Sequence, residues 1–248
     1  MINSIIYGDC LIEMKKIKDA SIDMILCDLP YGTTQCKWDT IIPFDNLWNE
    51  YERIIKHNGA IVLTANQPFT SALVMSKINL FRYSLVWEKS KSTGYLNSKK
   101  MPMRSHEDIL IFYKSLPTYN PQKTIGLPYD KGKANRPTEV YREQKGEIHV
   151  KNKDGLRFPR SIQYFKTAES EGKVFHPTQK PISLFEWLIK TYSNENDLIL
   201  DNCMGSGTTA IASIKTNRNY IGIENDENYF NISIERINEY KKKPYTLF

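Results

Sequence analysis

Three apolar runs in this chain end in the same way. "MILCD" (24–28), "LILD" (198–201) and "YIGIE" (220–224) each run into an acid. Short continuous apolar runs belong to strands covered on both faces, as in a parallel sheet flanked by helices. An acid at the last position then stands at the carboxyl edge of that sheet, where open α/β folds bind ligands.

The segments between such runs carry the helical period. "LIEMKKIK", "FDNLWNEYERIIKHNG" with Gly59 as its stop, and "PFTSALVMSKI" opening on Pro68 read as helices in the first half. "GAIVLTAN" reads as a buried strand, and "RYSLVWEK" with "EDILIFYK" as a strand pair. In the second half "KPISLFEWLIKTYS", "TTAIASIKT" and "NYFNISIERINEYKKK" read as helices around the strands "DLILDNC" and "NYIGIEND". This alternation predicts an α/β fold, a mostly parallel sheet with helices on both faces.

The middle differs. From Ser115 to Lys173 periodicity is weak, prolines 117, 121, 128, 137 and 159 interrupt it, and Tyr, Lys and Arg interleave. It reads as an insertion (114–175) between two halves of one core, 1–113 and 176–248. Charge supports the division. The net +6 is concentrated in the insertion, which has 13 basic and 7 acidic side chains, against 13 and 12 before it and 8 and 9 after it. Such placement points to a polyanion such as nucleic acid. The candidate contacts are Arg136, Arg142, Arg157 and Arg160, with Lys151 and Lys153, and Tyr119, Tyr129, Tyr141 and Tyr164 as stacking groups.

The N-terminus has no signal-peptide pattern and no run is long enough to span a membrane. The four cysteines lack metal-ligand spacing and read as reduced thiols of a cytoplasmic protein; no metal is expected.

Two stretches carry chemistry. In "DLPY" Asp28, Leu29, Pro30 and Tyr31 put a carboxylate, a rigid backbone and an aromatic face at a strand end. In "DNCMGSGTT" (201–209), Gly205 and Gly207 let the backbone pass close to a ligand and Thr208 can cap the helix that follows. Glu224, 17 residues beyond Gly207, is placed to take a ribose. The absence of a full GxGxxG or a Gly-Lys-Ser/Thr loop favours a nucleoside without phosphates.

Together these motifs resemble those of the amino-directed (N6-adenine or N4-cytosine) DNA methyltransferases. The catalytic motif precedes the cofactor motif, which is similar to the permuted β group. "GDC" (8–10), "LVWEKS", "HEDILIFYK" and "FHPTQKP" (175–181) fit the same group. The resemblance implies a Rossmann-like S-adenosylmethionine-dependent fold, S-adenosyl-L-methionine as cofactor and double-stranded DNA as substrate. It makes a homodimer and a cognate restriction endonuclease candidate partners. It assigns Asp9 and Cys10 to the cofactor's adenine end and Glu224 to its ribose. Asp201, Cys203, Gly205, Ser206, Gly207 and Thr208 go to the rest of the cofactor, and Lys180 to its carboxylate. It gives the insertion to target recognition. Asp28 and the Leu29 carbonyl would accept hydrogen bonds from the target amine, with Tyr31 stacking on the base. Two positions depart from the pattern: Leu29 replaces Pro, and Asn202-Cys203 replace Pro-Phe.

No cysteine follows a proline, which rules out a carbon-5 cytosine enzyme of the kind that needs one. Asp28 as the first motif residue favours adenine N6. N4-cytosine methylation is the alternative, and a catalytically silent nucleic-acid-binding module the more remote one.

Overall fold

A computed structural model describes residues 2–34, 36, 39–135 and 147–242. They form two compact units, 1–120 with 161–248, and Pro121–Arg160.

The larger unit is an eight-stranded sheet. Its first half supplies β1 (Ser4–Tyr7), α1 (Cys10–Glu13), β2 (Ile22–Asp28), α2 (Phe44–Ile54), β3 (Ile55–Ala65), α3 (Phe69–Ser76), β4 (Phe81–Thr93) and β5 (Arg104–Phe112). The smaller unit contains β6 (Thr124–Ile125), β7 (Tyr129–Asn135), β8 (Glu147–Asn152) and β9 (Leu156–Arg157). The chain then returns to the large sheet with β10 (Ile162–Phe165), α4 (Ile182–Tyr192), β11 (Leu198–Asp201), α5 (Thr208–Lys215), β12 (Asn219–Glu224) and α6 (Glu227–Lys242). The strand order is β1-β12-β11-β2-β3-β5-β4-β10, and only β5 runs against its neighbours. The predicted strand pair is therefore an antiparallel hairpin on an otherwise parallel sheet.

Strand alternation builds the two layers. Met24, Leu26, Ala60, Val62, Ile109 and Ile111 face α4, where Leu184, Phe185, Leu188 and Ile189 bury them. Ile25, Cys27, Ile61, Leu63, Leu110 and Phe112 face the other way, onto Trp48 and Tyr51 of α2 and Phe69 and Leu73 of α3. Both sets are apolar, so β2, β3 and β5 read as unbroken apolar runs.

Two sequence expectations need correction. The helix expected to reach Gly59 ends at Ile54, and Ile55–Ala65 is strand. The pairing of β2 and β3 shifts register after Ile22↔Ile55. Gly59 sits where a Cβ would meet Ile55 at 2.7 Å and the Asp23 carbonyl at 2.8 Å. It marks a close backbone approach at a bulge, not a helix stop. The compact inserted unit is also shorter than 114–175. It spans Pro121–Arg160, and Ile162–Phe165 pairs in parallel with β4 as an edge strand.

The smaller unit has two antiparallel ladders, β6 with β9 and β7 with β8. Asp130 ties the second one, accepting from His149 at 2.6 Å, Lys151 at 3.1 Å and the Gly132 N–H at 2.9 Å. The Arg157 guanidinium lies 4.7 Å from the Tyr129 ring centroid and donates to the Leu127 carbonyl.

Gly222 links the sheet to the turn after β11. A Cβ there would lie 2.0 Å from Cε and 2.2 Å from Sδ of Met204, which is buried against the strand and precedes Gly205. Gly222→Ala is therefore expected to cost about 1–3 kcal/mol by overpacking and to weaken ligand binding at the turn. Urea unfolding checks the first effect; wild-type stability would show that Met204 repacks freely.

Candidate active site

The end of β2 is held from three sides. Asp28 is its last residue and pairs in register with Thr64 of β3. Asp28 Oδ1 accepts from the Tyr31 hydroxyl at 2.6 Å and from the Thr64 hydroxyl at 2.5 Å. Asp28 Oδ2 accepts from Lys180 Nζ at 2.6 Å. Leu29 is buried, and Pro30 carries the chain to Tyr31, whose ring stacks on Phe69 with centroids 5.1 Å apart. Phe69 thus takes one face of Tyr31. Lys180 Nζ lies 5.7 Å from the Tyr31 centroid.

Lys180 is buried at the Asp28 carboxylate. It is drawn to the acids of the first half of the chain. Beyond Asp28 it faces Glu107 Oε2 at 3.4 Å, and Lys89 donates to Glu107 Oε1 at 3.1 Å. Lys180, Lys89 and Glu107 are all buried. The row Asp28–Lys180–Glu107–Lys89 alternates in sign and balances two cations with two carboxylates. Burial alone would lower the Lys180 pKa, but the charges of Asp28 and Glu107 outweigh it and raise the value above the usual lysine range. For Glu107, burial acts upward, and Lys180 with Lys89 overcomes it to hold the carboxyl below its ordinary range.

Glu107→Gln leaves two buried ammonium groups with one carboxylate. The expected cost at neutral pH is about 3–5 kcal/mol, as for other broken buried pairs. A depressed carboxylate stabilises the fold above its unfolded pKa, near 4.3, and that contribution is lost as pH falls through the folded value. The stability gap between wild type and Glu107→Gln is thus expected to close below about pH 4. Thermal unfolding across pH measures it, and a gap independent of pH would contradict the pairing.

The glycine turn lies at the ends of the next two strands. Asp201, last in β11, accepts the Cys203 N–H at 3.1 Å with one oxygen and the Thr209 hydroxyl with the other. Both oxygens are therefore engaged by the turn itself, and burial still pushes this carboxyl up to about 7. Gly205 and Gly207 adopt left-handed φ values of 53° and 86°, which side chains with a Cβ resist. Glu224, last in β12, accepts the Gly205 N–H at 2.6 Å and the Asp226 N–H at 2.8 Å. Asp9 caps α1 through the N–H groups of Leu11 and Ile12 at 2.8 and 3.2 Å. The Cys203 thiol accepts from the Asn202 side-chain amide at 3.5 Å. Arg236 holds the Ser206 carbonyl at 2.9 Å, and Thr208 is buried beside the Lys180 carbonyl.

These groups share one cavity of about 590 Å³, lined by Asp28 and Tyr31 on one side and Asp9, Cys203, Gly205 and Glu224 on the other. Lys180 and Glu107 also line it. Two motifs more than 160 residues apart in sequence meet because β11 lies between β12 and β2.

A sequence profile of N6/N4 methyltransferases, described as DNA methylase, matches residues 22–235. The chain belongs to this DNA methylase family. "Type II methyltransferase M1.MboII" of Moraxella bovis is 29% identical, over 93% of this chain and 94% of that protein. "DNA adenine methyltransferase YhdJ" of Escherichia coli (strain K12) is 30% identical, over 94% and 82%. Among solved structures, the M1.HpyAVI–SAM complex superposes with a TM-score of 0.65 at 23% identity, covering 95% of this chain and 98% of that one. The cytosine-N4-specific PvuII DNA methyltransferase gives 0.65 at 15% identity, covering 99% and 88%. These two likenesses establish the fold, the S-adenosylmethionine-dependent methyltransferase α/β fold.

The cofactor of N6/N4 DNA methylases is S-adenosylmethionine, and the cavity suits it. Its volume is in the range small-molecule cofactors occupy. A left-handed glycine turn and a buried strand-end carboxylate, which retains lone pairs on both oxygens, face the same space.

Sequence reasoning missed several residues. Thr64 is a polar residue inside the apolar run "GAIVLTAN", while Lys89 and Glu107 stand at the ends of "RYSLVWEK" and "EDILIFYK", where charges are ordinary. Asp39 gave none. It is buried and accepts the N–H groups of Gly32, Thr33 and Thr34 at 2.9, 2.9 and 2.7 Å, fixing the chain after Tyr31. Of the four arginines, Arg157 braces its own unit and Arg160 is exposed, while Arg136 and Arg142, like Tyr141, lie outside the described residues.

Proposed function

We propose that this DNA methylase transfers a methyl group to the exocyclic N6 amine of adenine in double-stranded DNA, at a defined sequence. The observation that carries this reading is the fixed carboxylate of Asp28 at the wall of the cofactor cavity. S-adenosylmethionine, when bound, supplies an electrophilic methyl on sulfur. An exocyclic base amine is a weak nucleophile because its lone pair is conjugated into the ring. Asp28 and the Leu29 carbonyl accept its two N–H groups and draw the nitrogen toward tetrahedral geometry, which frees the lone pair. Tyr31, Thr64 and Lys180 hold the carboxylate so that it need not reorganise as charge develops. Tyr31 takes the base, which must leave the duplex to arrive.

Adenine is favoured by Asp28 and by the relative named as an adenine enzyme. N4-cytosine methylation is the second reading, since a cytosine-N4-specific enzyme shares the fold. Type II relatives support a cognate restriction endonuclease as partner, and a homodimer is the assembly we expect by family resemblance. The protein is expected in the cytoplasm; among the described residues no helix is long and apolar enough to cross a membrane.

Asp28→Ala is expected to abolish methyl transfer to duplex DNA, because its contact with the amine strengthens in the transition state, and to lower stability, because it leaves the buried Lys180 short of a carboxylate. Glu224→Ala is expected to weaken S-adenosylmethionine about tenfold to a hundredfold, from hydrogen bonds worth about 1.5–3 kcal/mol. Methylation assays and calorimetry separate the two; substantial turnover by Asp28→Ala defeats the assignment. Sequencing of modified bases after incubation with DNA and cofactor reports which base is methylated and in what sequence.

The inserted unit is proposed to recognise DNA. Arg136→Ala and Arg142→Ala should each lower the log–log salt slope of binding by about one unit if they contact phosphate. Arg157→Ala should instead destabilise the unit, because its guanidinium is held by Tyr129 and Leu127. Unchanged slopes for both Arg136→Ala and Arg142→Ala would remove these two residues from the interface.

A further inference from the structure

Between Lys89 and His106 the chain has four basic residues, Lys91, Lys99, Lys100 and Arg104, and no acid. Counting charge over the first 113 residues averages this run away. The structure makes it one object. β4 runs with the parallel strands and β5 returns, so their connection leaves the sheet at the carboxyl edge that carries Asp28, Asp201 and Glu224. Thr93 and Arg104, paired across the stem, line the catalytic cavity.

The tip beyond them is exposed and apolar. Leu96 is 96% exposed, Tyr95 76%, Met101 58% and Met103 39%. Single exposed apolar side chains are ordinary, but four within nine residues form a patch that marks a contact. The tip is also locally built. Gly94 is left-handed at φ 91°, and the 3₁₀ turn Tyr95–Asn97 is closed by Asn97 N–H to Gly94 O and Ser98 N–H to Tyr95 O, both 3.0 Å. Lys100 and Met101 donate to the Asn97 carbonyl at 2.8 and 3.0 Å. Lys99, Lys100 and Arg104 flank the apolar group, all exposed.

We propose that this hairpin tip, residues 94–103, is a second DNA-contacting element, in addition to the inserted unit, that lies on the duplex beside the target nucleotide. Tyr95 and Leu96 pack against the base faces uncovered when the target leaves the stack, and Lys99, Lys100 and Arg104 meet phosphates. The absence of acid over the whole run selects a polyanion over a protein surface, and wedging apolar side chains into a base stack is a known way to hold a distorted duplex. The proposal rests on the reading of the chain as a DNA methylase whose target base leaves the duplex.

The test uses the full chain, a duplex containing the methylated sequence, and the same duplex with a mismatch opposite the target, where extrusion costs less. The double variant Tyr95→Ser with Leu96→Ser should methylate the paired duplex at least tenfold more slowly, lose less on the mismatched one, and keep its affinity for S-adenosylmethionine. Lys99→Gln with Lys100→Gln should weaken binding to cognate and random duplexes alike and reduce the log–log salt slope by about two units. Wild-type rates for the apolar variant on the paired duplex would overturn the proposal. So would an equal loss on both duplexes accompanied by a change in oligomeric state, which would make the tip a protein contact. Wild-type protein that methylates no duplex would instead defeat the functional reading itself.

Discussion

The ion pair between Lys180 and Asp28 joins the two ends of the sequence in one site. Its partners are 152 residues apart and their 2.6 Å contact is largely shielded from water. Such a pair is tolerated only where geometry is good and further groups complete the hydrogen bonding. Tyr31 and Thr64 do this for Asp28, and Glu107 with Lys89 does it around Lys180. The site is therefore a connected polar row set in an apolar sheet edge. Such a row holds the Asp28 carboxylate in one orientation.

The row has a consequence for how the halves of the core depend on each other. Asp28, Lys89 and Glu107 come from the first half and Lys180 from the second, on the segment that leads into α4. The same segment bears His176, whose ring centroid is 4.1 Å from that of Tyr229 near the glycine turn. One stretch, "FHPTQKP", thus touches both the cofactor side and the catalytic side.

The two motifs were legible because each obeys a local rule. A buried parallel strand has to be apolar throughout, so an acid at its end is conspicuous, and a tight strand-to-helix turn needs glycine at positive φ. The hairpin of β4 and β5 was legible for the same reason. The helix that ends at Ile54 instead of Gly59 was not, because "IIKHNG" satisfies either period and only pairing with β2 decides it. The compact unit is narrower than the 114–175 read from the sequence, because β10 is a four-residue, half-exposed edge strand with little pattern to detect.

What the sequence determined by itself is the class of fold, the identity of the two strand-end motifs and their order, since these follow from periodicity, glycine and residue chemistry within short windows. What only the tertiary structure decided is which side chains face one another. The sequence marks Lys180 as a candidate for the cofactor carboxylate and does not show Asp28 as its neighbour, and Glu107 and Lys89 look like ordinary strand residues. The neighbour of each comes from a strand or loop brought alongside by sheet order. A charge's partner is a matter of distance in space, which no local pattern encodes.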